Sequence, residues 1–321
     1  MKEFELIRQI QQDTSVSYTT GFEHGVKLGI GDDAAVLALP RGQQLVAATD
    51  TLNAGTHFPD ETSPFDIGYK CLAVNLSDLA AMAATPRWAL LSLSLPQADP
   101  EWVRLFAEGF KSLAQQHDVT LVGGDTTSGP LSISLTALGS VEPGKYLTRS
   151  GAKPGDLLVV SGTVGGAAHA LDMLQAGAKV MDRHLLDRPE PRVQLGQALA
   201  GHASACIDVS DGLLADLGHV LELSGCGARI EIENLPASQV LSELESGLRW
   251  RYQLSGGDDY ELLFTLPQQY RKWLSSLSRQ LDIDLTVIGE IEAETGIRCF
   301  RKDGSAYCPQ QTGFEHFQAP K

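Results

Sequence analysis

The chain has 321 residues, of which 43% are hydrophobic and 20% are charged, and its formal net charge is −15 at pH 7. This length exceeds what one hydrophobic core usually supports, so two domains are expected, and no apolar run approaches the roughly 20 residues of a membrane-spanning helix. The acidic balance disfavours nucleic acids and anionic membranes as partners, because both bind clustered lysine and arginine.

The hydrophobic pattern predicts alternating helices and strands in the first half of the chain. A helix is predicted near residues 2–12, and its charged start without an apolar segment argues against export and for a cytoplasmic location. Further helices are predicted over residues 65–84 and 100–116. Strands are predicted over residues 34–39, 45–49, 89–95, 119–122 and 131–141.

Residues 148–156 are polar and rich in glycine and proline, which is typical of a boundary between domains. We therefore expect an N-terminal domain over residues 1–147 and a C-terminal domain over residues 148–321. The second half again alternates strands and helices, so the predicted class is α/β or α+β. Its predicted elements are strands at 157–160 and 205–209 and helices at 165–176, at 190–201 and after Asp211.

Several aspartates directly follow apolar runs and are flanked by Gly, Ser or Thr. A carboxylate at the end of a buried strand is costly to hold alone, so we expect each to be paired, hydrogen-bonded or bound to a cation. Any one of them is also consistent with a turn or a helix cap. Asp78 is the exception, because it interrupts an apolar helical pattern and therefore needs a partner. The set comprises Asp32, Asp33, Asp50, Asp78, Asp125, Asp208, Asp211, Asp258 and Asp259.

Glycine is frequent, with 32 residues, and it clusters beside these aspartates. Carboxylate and hydroxyl oxygens are ligands that Mg²⁺ prefers, and glycine lets the backbone approach a phosphate closely. The pattern therefore predicts nucleotide phosphates held through Mg²⁺ ions. A Walker loop and the protein-kinase motifs are absent from the sequence. Residues 161–167 are a weak anion-binding candidate, and a plain strand-to-helix turn accounts for them better. The five scattered cysteines argue against disulfides and zinc.

Eight motifs then occur in an order that resembles the thiamine-monophosphate kinase family, which belongs to the superfamily of aminoimidazole ribonucleotide synthetase. The resemblance extends over nearly the whole chain. The motifs are GIGDDAAV at 29–36, ATDTLNAGTHF at 48–58, NLSDLAAM at 75–82, GGDTTSGP at 123–130, LTRSGAKPGD at 147–156, IDVSDGL at 207–213, SGGDDYELLF at 255–264 and TGFEHF at 312–317.

The resemblance implies a two-lobed fold: an N-terminal α/β lobe, whose sheet pairs with that of a second subunit in a homodimer, and a C-terminal α/β lobe. It also implies an ATP site between the lobes. The implied activity is direct, in-line transfer of the terminal phosphoryl group of ATP to thiamine monophosphate, assisted by several Mg²⁺ ions.

The resemblance also implies roles for individual residues. Asp50, Asp125 and Asp208 are expected to be catalytic, and Gly124, Asp125, Arg149 and Ser210 to contact the nucleotide. His57, Asp258 and Phe314 are expected to contact the thiamine phosphate. The expected metal ligands are Asp33, Thr49, Asp50, Asp78, Asp125, Asp208 and Asp211.

The chain departs from the family pattern at two positions, where Ala48 replaces a frequent serine and Phe314 replaces a frequent tryptophan. Ala48 removes a side-chain metal contact unless its backbone carbonyl serves instead. Phe314 keeps the stacking on the thiamine rings but weakens it.

Plainer alternatives remain open for three of the expected contacts: a loop histidine for His57, a tail anchor for Phe314 and a solvated linker charge for Arg149. The functional alternatives are another ATP-using member of the superfamily and a regulatory protein that binds Mg-nucleotide without turnover.

Overall fold

The structure is a computed structural model, and it describes residues 9–10, 12–14, 25–311 and 313. Contacts divide the chain into a first unit, Met1–Leu79 with Ala84–Tyr146, and a second unit, Ala80–Ala83 with Leu147–Lys321. Residues 9–10 and 12–14 are helical, and the start of the helix predicted near 2–12 lies outside the described residues. Within the described part of the chain, no helix combines the length and apolar character needed to cross a membrane.

The first unit is built on a four-stranded sheet in the order β3-β6-β4-β5. Strands β4 and β5 run parallel, and the other two pairs are antiparallel. A separate antiparallel pair is formed by β1 and β2. The strands are β1 (Val26–Leu28), β2 (Val36–Leu37), β3 (Gln44–Asn53), β4 (Thr85–Leu95), β5 (Thr120–Ser128) and β6 (Ser132–Val141).

Two helices, α1 (Pro64–Ala81) and α2 (Pro100–Gln116), belong to the same part of the chain. Asp99 caps α2 by accepting hydrogen bonds from the amides of Glu101 and Trp102. The apolar side chains that recur at helical spacing along α2 are buried. The helices approach each other closely at two glycines, because a Cβ at Gly68 or Gly109 would overlap the backbone of the opposite helix.

Successive side chains of β3 point to opposite faces of the sheet. Asp50 and Leu52 lie on the more buried face, whereas Leu45, Thr49 and Thr51 lie on the exposed face. Leu45 is 53% exposed and Leu90, on β4, is 36% exposed. The outer face of the sheet therefore carries exposed apolar side chains among hydroxyl groups.

The second unit contains a seven-stranded sheet in the order β13-β12-β9-β11-β7-β10-β8. Only the β9–β12 pair in this sheet is parallel. Its strands are β7 (Leu157–Ser161), β8 (Ala205–Asp208), β9 (Gly227–Glu231), β10 (Leu262–Leu266), β11 (Leu285–Glu292), β12 (Gly296–Phe300) and β13 (Ala306–Tyr307).

Seven α-helices accompany this sheet among the described residues. They are α3 (Gly166–Gln175), α4 (Arg183–Asp187), α5 (Val193–Leu199), α6 (Leu213–Ser224), α7 (Gln239–Ser242), α8 (Ser246–Ser255) and α9 (Arg271–Leu281). The helix predicted over 190–201 is observed as α5, which begins only at Val193. It begins later than predicted because Pro189 and Pro191 have no backbone N–H group to donate to a helical hydrogen bond.

Candidate active site

In the first unit, Asp33 and Asp125 line one cleft, which has a volume of about 990 Å³. Asp33 lies in the turn before β2, and Asp125 lies on β5. The walls combine these carboxylates with apolar side chains such as Leu91 and Leu121. Such a mixture is typical of small-molecule sites, where a few polar groups orient a ligand between apolar walls.

Gly124, the neighbour of Asp125, packs tightly against β4. Its φ is +151°, and a Cβ at this position would overlap the carbonyl oxygen of Leu91. Only glycine fits here, so the backbone of β5 stays close to β4. Gly124 also lines the cleft.

The second feature of this unit brings Asp50, Asp78 and His57 together. The carboxyl groups of Asp50 and Asp78 form a side-chain hydrogen bond, and His57 interacts electrostatically with Asp50. Burial raises the pKa of Asp50, and the contacts with Asp78 and His57 oppose that rise. Two carboxyl groups this close share a proton or a cation, so the predicted partner of Asp78 is a second acid.

Two contacts hold the loop that carries His57. The amide of Asn53 donates a hydrogen bond to His57 Nδ1 at 3.0 Å. Lys70 Nζ, on α1, donates to the carbonyl oxygen of His57 at 3.2 Å, and Lys70 is only 2% exposed. Because Nδ1 accepts a hydrogen bond, the neutral ring carries its proton on Nε2.

Thr49 lies next to Asp50 on β3 but faces the other way. Its hydroxyl donates to the carbonyl oxygen of Leu135 at 3.0 Å and lies 3.1 Å from the hydroxyl of Thr136. The structure therefore does not bring the hydroxyl of Thr49 to the carboxylate of Asp50.

The expectation that the site aspartates follow strand ends is wrong for two of them. Asp50 lies inside β3 and Asp125 lies inside β5, which both continue for three further residues. The strand β5 continues because its residues 123–128 pair with β4 in register. Tertiary pairing thus overrides the low strand preference of the two glycines in GGDTTSGP.

In the second unit, β8 ends at Asp208, and the turn that follows carries Ser210 and Asp211. The turn is held by Asp216, which is 2% exposed. One oxygen of Asp216, Oδ2, accepts hydrogen bonds from the amides of Ser210, Asp211 and Gly212 at 3.0, 3.1 and 3.1 Å. Burial, then the charges of Asp208 and Asp211, raise the pKa of Asp216 to about 7.

The segment 258–260 runs alongside this turn. The amide of Asp258 donates to the carbonyl oxygen of Ser210 at 2.8 Å, and the amide of Tyr260 donates to that of Val209 at 2.8 Å. Asp258 and Tyr260 have φ values of +75° and +52°. Such conformations are uncommon outside glycine and concentrate at functional sites.

Two acidic residues anchor the same segment to the rest of the unit. Asp259 accepts a hydrogen bond from the amide of Gly165 at 2.7 Å, just before α3. Glu261 forms a buried ion pair with Arg192, with distances of 2.6 and 2.7 Å. A carboxylate of the protein thus already binds the helix N-terminus near residues 161–167, and this segment forms the turn between β7 and α3.

Arg149 and Phe314 complete the predicted set. Arg149 is exposed and lies beside β8, since the amide of Cys206 donates to the carbonyl oxygen of Thr148 at 2.9 Å. Phe314 lies outside the described residues. Lys70 and Asp216 are the residues that the sequence analysis missed, and their only signal is a charge among apolar neighbours on a helix.

The donor set suits Mg²⁺ bound together with a ligand. Within the described ranges, no three or more His, Cys, Asp or Glu side chains are arranged to hold a metal ion. The Asp50–Asp78 contact is instead a pair of carboxyl groups. Mg²⁺ is commonly held by one or two carboxylates, with waters and substrate phosphates completing its six ligands.

Comparison with known proteins adds independent evidence. The family described as AIR synthase related protein, N-terminal domain, matches residues 31–141, and its C-terminal counterpart matches residues 153–302. Thiamine-monophosphate kinase of Escherichia coli strain K12 is 47% identical over 307 residues, covering 92% of this chain and 93% of the relative.

Two solved structures resemble this one. Thiamine-monophosphate kinase from Stenotrophomonas maltophilia K279a has a TM-score of 0.86 and 47% identity and covers 96% of this chain and 98% of its own. A structure described as AaThiL complexed with AMPPCP and TMP has a TM-score of 0.76 and 31% identity, with coverage of 87% and 89%. The chain therefore belongs to the thiamine-monophosphate kinase family, and its two-lobed α/β fold is that of the AIR synthase related proteins.

Proposed function

We propose that this chain transfers the terminal phosphoryl group of ATP to thiamine monophosphate, giving thiamine diphosphate and ADP. The observation that carries the proposal is the pair of carboxyl groups of Asp50 and Asp78 beside His57, in a chain of this family. The relative described with AMPPCP and TMP pairs a nucleotide with a thiamine phosphate, and this chain uses the same two classes of ligand.

Mg²⁺ is the cation that fits the acidic pairs. Asp50 with Asp78, Asp33 with Asp125, and Asp208 with Asp211 would hold the ions together with the phosphates. When bound, Mg²⁺ neutralises phosphate charge and aligns the attacking and leaving oxygens. Thr49 contributes to this set through its backbone carbonyl, because its hydroxyl already donates to Leu135.

The remaining residues bind and orient the two substrates. Gly124 brings the backbone close to the nucleotide phosphates, and Arg149 and Ser210 supply a charge and a hydroxyl to them. His57 offers its Nε2–H group to a phosphate oxygen of the acceptor, and Asp258 faces the cationic thiamine. Phe314 is proposed to stack on the thiamine rings.

The reaction needs little proton transfer by the protein. A phosphate monoester has a second pKa of about 6, so the acceptor is already largely dianionic at neutral pH. An oxygen of this phosphate attacks the γ-phosphorus of ATP directly, and the bond to the β–γ bridging oxygen breaks as ADP leaves. The protein contributes positioning and electrostatic stabilisation, with Asp50, Asp125 and Asp208 as the central carboxylates.

We also propose that the chain acts as a cytoplasmic homodimer formed through the outer face of the four-stranded sheet. The support is the exposure of Leu45 and Leu90 on that face. Light scattering after size exclusion is expected to give twice the chain mass, and Leu45→Glu to give the single-chain mass. A wild-type monomer at micromolar concentration would contradict the dimer.

The activity is tested by measuring ADP and thiamine diphosphate with a panel of acceptors: thiamine, thiamine monophosphate, aminoimidazole precursors and selenide. We expect equal amounts of ADP and thiamine diphosphate, and only with thiamine monophosphate. ADP formed with another acceptor would identify another superfamily activity. Bound nucleotide without any ADP would identify a regulatory binder.

A further inference from the structure

Asp216 is a buried acid that the proposed chemistry does not use. It lies in the first turn of α6, and its Oδ2 accepts hydrogen bonds from three consecutive amides at 3.0–3.1 Å. Those amides belong to Ser210, Asp211 and Gly212, which form the turn between β8 and α6. A single carboxylate oxygen therefore fixes the direction of the whole turn.

The same turn is fixed from its opposite side by the segment that carries Asp258. The carbonyl oxygen of Ser210 accepts the amide of Asp258 at 2.8 Å, and Gly212 adopts a φ of +121°. The amide groups of the turn thus point to Asp216 while a carbonyl points to the Asp258 segment. The direction of the side chains of Ser210 and Asp211 depends on both contacts.

We infer that Asp216 is a positioning residue, which holds Ser210 and Asp211 in the orientation that receives the metal-bound nucleotide without touching it. This inference rests on the proposed function. It has a chemical consequence: the amides of Ser210, Asp211 and Gly212, in the turn before α6, already donate to Asp216. This turn must then contact the nucleotide phosphates through cations and side chains.

The geometry also separates this role from that of a metal ligand. Oδ2 is occupied by three amide donors, so an asparagine, which keeps one acceptor oxygen, preserves the contacts to the turn. An alanine removes them. If the negative charge of Asp216 bound a cation directly, asparagine would be as harmful as alanine.

The test compares Asp216→Ala, Asp216→Asn and Asp99→Ala with the wild type. Asp99 is the matched control, because its carboxylate also accepts hydrogen bonds from backbone amides, those of Glu101 and Trp102, but at the start of α2. Mn²⁺ binding in the presence of ADP is measured by electron paramagnetic resonance, together with KM for ATP, kcat and Tm. Asp216→Ala is expected to weaken Mn²⁺ binding and raise KM for ATP by about tenfold or more.

Asp216→Asn is expected to bind Mn²⁺ like the wild type, and Asp99→Ala to lower Tm alone. Wild-type Mn²⁺ binding in Asp216→Ala, with only a lower Tm, would overturn the inference, and so would equal damage from asparagine and alanine. If Asp216→Ala does not fold, Asp216→Glu, which keeps the charge but moves it by one methylene, is expected to weaken Mn²⁺ binding.

These readouts also distinguish this inference from the proposed function. Failure of the wild type to form thiamine diphosphate would refute the kinase assignment. Mn²⁺ binding with ADP does not depend on the acceptor, so it would still decide the role of Asp216.

Discussion

Asp50 is a carboxylate that the fold holds partly away from water beside the carboxyl group of Asp78. Burial raises its pKa, which means that the folded protein without a cation disfavours the charged form. A bound cation would favour the charged form of Asp50 instead. The ionised carboxylate is therefore unfavourable in the protein without a cation and favourable when a cation is bound.

Asp50→Asn is predicted to lower kcat by at least about 100-fold, because it removes a charge that holds the cation. In EDTA, its free energy of unfolding should stay within about 1 kcal/mol of the wild type, since asparagine keeps the shape and avoids a desolvated charge. Steady-state kinetics and urea unfolding measure the two effects. Asp99→Asn, which keeps its helix cap, is the control, and full activity in Asp50→Asn would refute the metal role.

Asp216 gives a pH dependence with a defined sign. Its pKa is raised to about 7, above the usual value for aspartate, so the folded state binds its proton more tightly than the unfolded state. The stabilisation from this proton is fully present below the unfolded pKa of about 4 and is lost as pH rises to about 7.

In EDTA, the wild type should therefore lose up to about 2 kcal/mol more unfolding free energy than Asp216→Asn between about pH 5 and about pH 7. Urea unfolding at several pH values measures the difference. Parallel pH profiles for the two proteins would show that Asp216 does not titrate in this range.

The sequence pattern identified aspartates that the structure brings together, although it placed one of them incorrectly with respect to its strand. The pattern of acids beside apolar runs and glycines predicted Asp50 and Asp78, which do form a pair. It predicted Asp50 at the end of a strand, whereas Asp50 lies within β3. Lys70 and Asp216 were missed, because their partners are backbone groups of other segments and become neighbours only on folding.

At the scale of elements, β5 both pairs with β4 in the sheet and lines the cleft. Its first residues are buried, whereas Gly124 and Asp125 are exposed, and both remain paired with β4. The close approach of Gly124 to Leu91 is required for this arrangement.

Gly124→Ala is predicted to destabilise the protein by about 2 kcal/mol or more and to raise KM for ATP, because the new methyl group overlaps the backbone of β4. Gly144→Ala is the matched control: its φ is also positive, at +75°, but no atom lies within 4 Å of a Cβ there. It should cost only about 1 kcal/mol. Equal losses in the two variants would mean that backbone conformation, and not the close approach, accounts for the effect.

At the scale of the whole molecule, the net charge of −15 is unfavourable for binding anionic substrates. ATP and thiamine monophosphate both carry phosphate charge, and a strongly acidic chain repels such ligands at long range. Divalent cations between protein carboxylates and phosphates reverse this repulsion locally. The central claim is thus that aspartates of both units, Asp50 and Asp208 among them, hold these cations.

The most direct test is to count Mn²⁺ ions bound per chain, by electron paramagnetic resonance, with AMPPCP and thiamine monophosphate present. The wild type is predicted to bind several ions, Asp50→Asn and Asp208→Asn to bind fewer, and Asp99→Asn to bind as many as the wild type. An unchanged count in both site variants, or a wild type that binds no more Mn²⁺ than free AMPPCP does, would contradict the account.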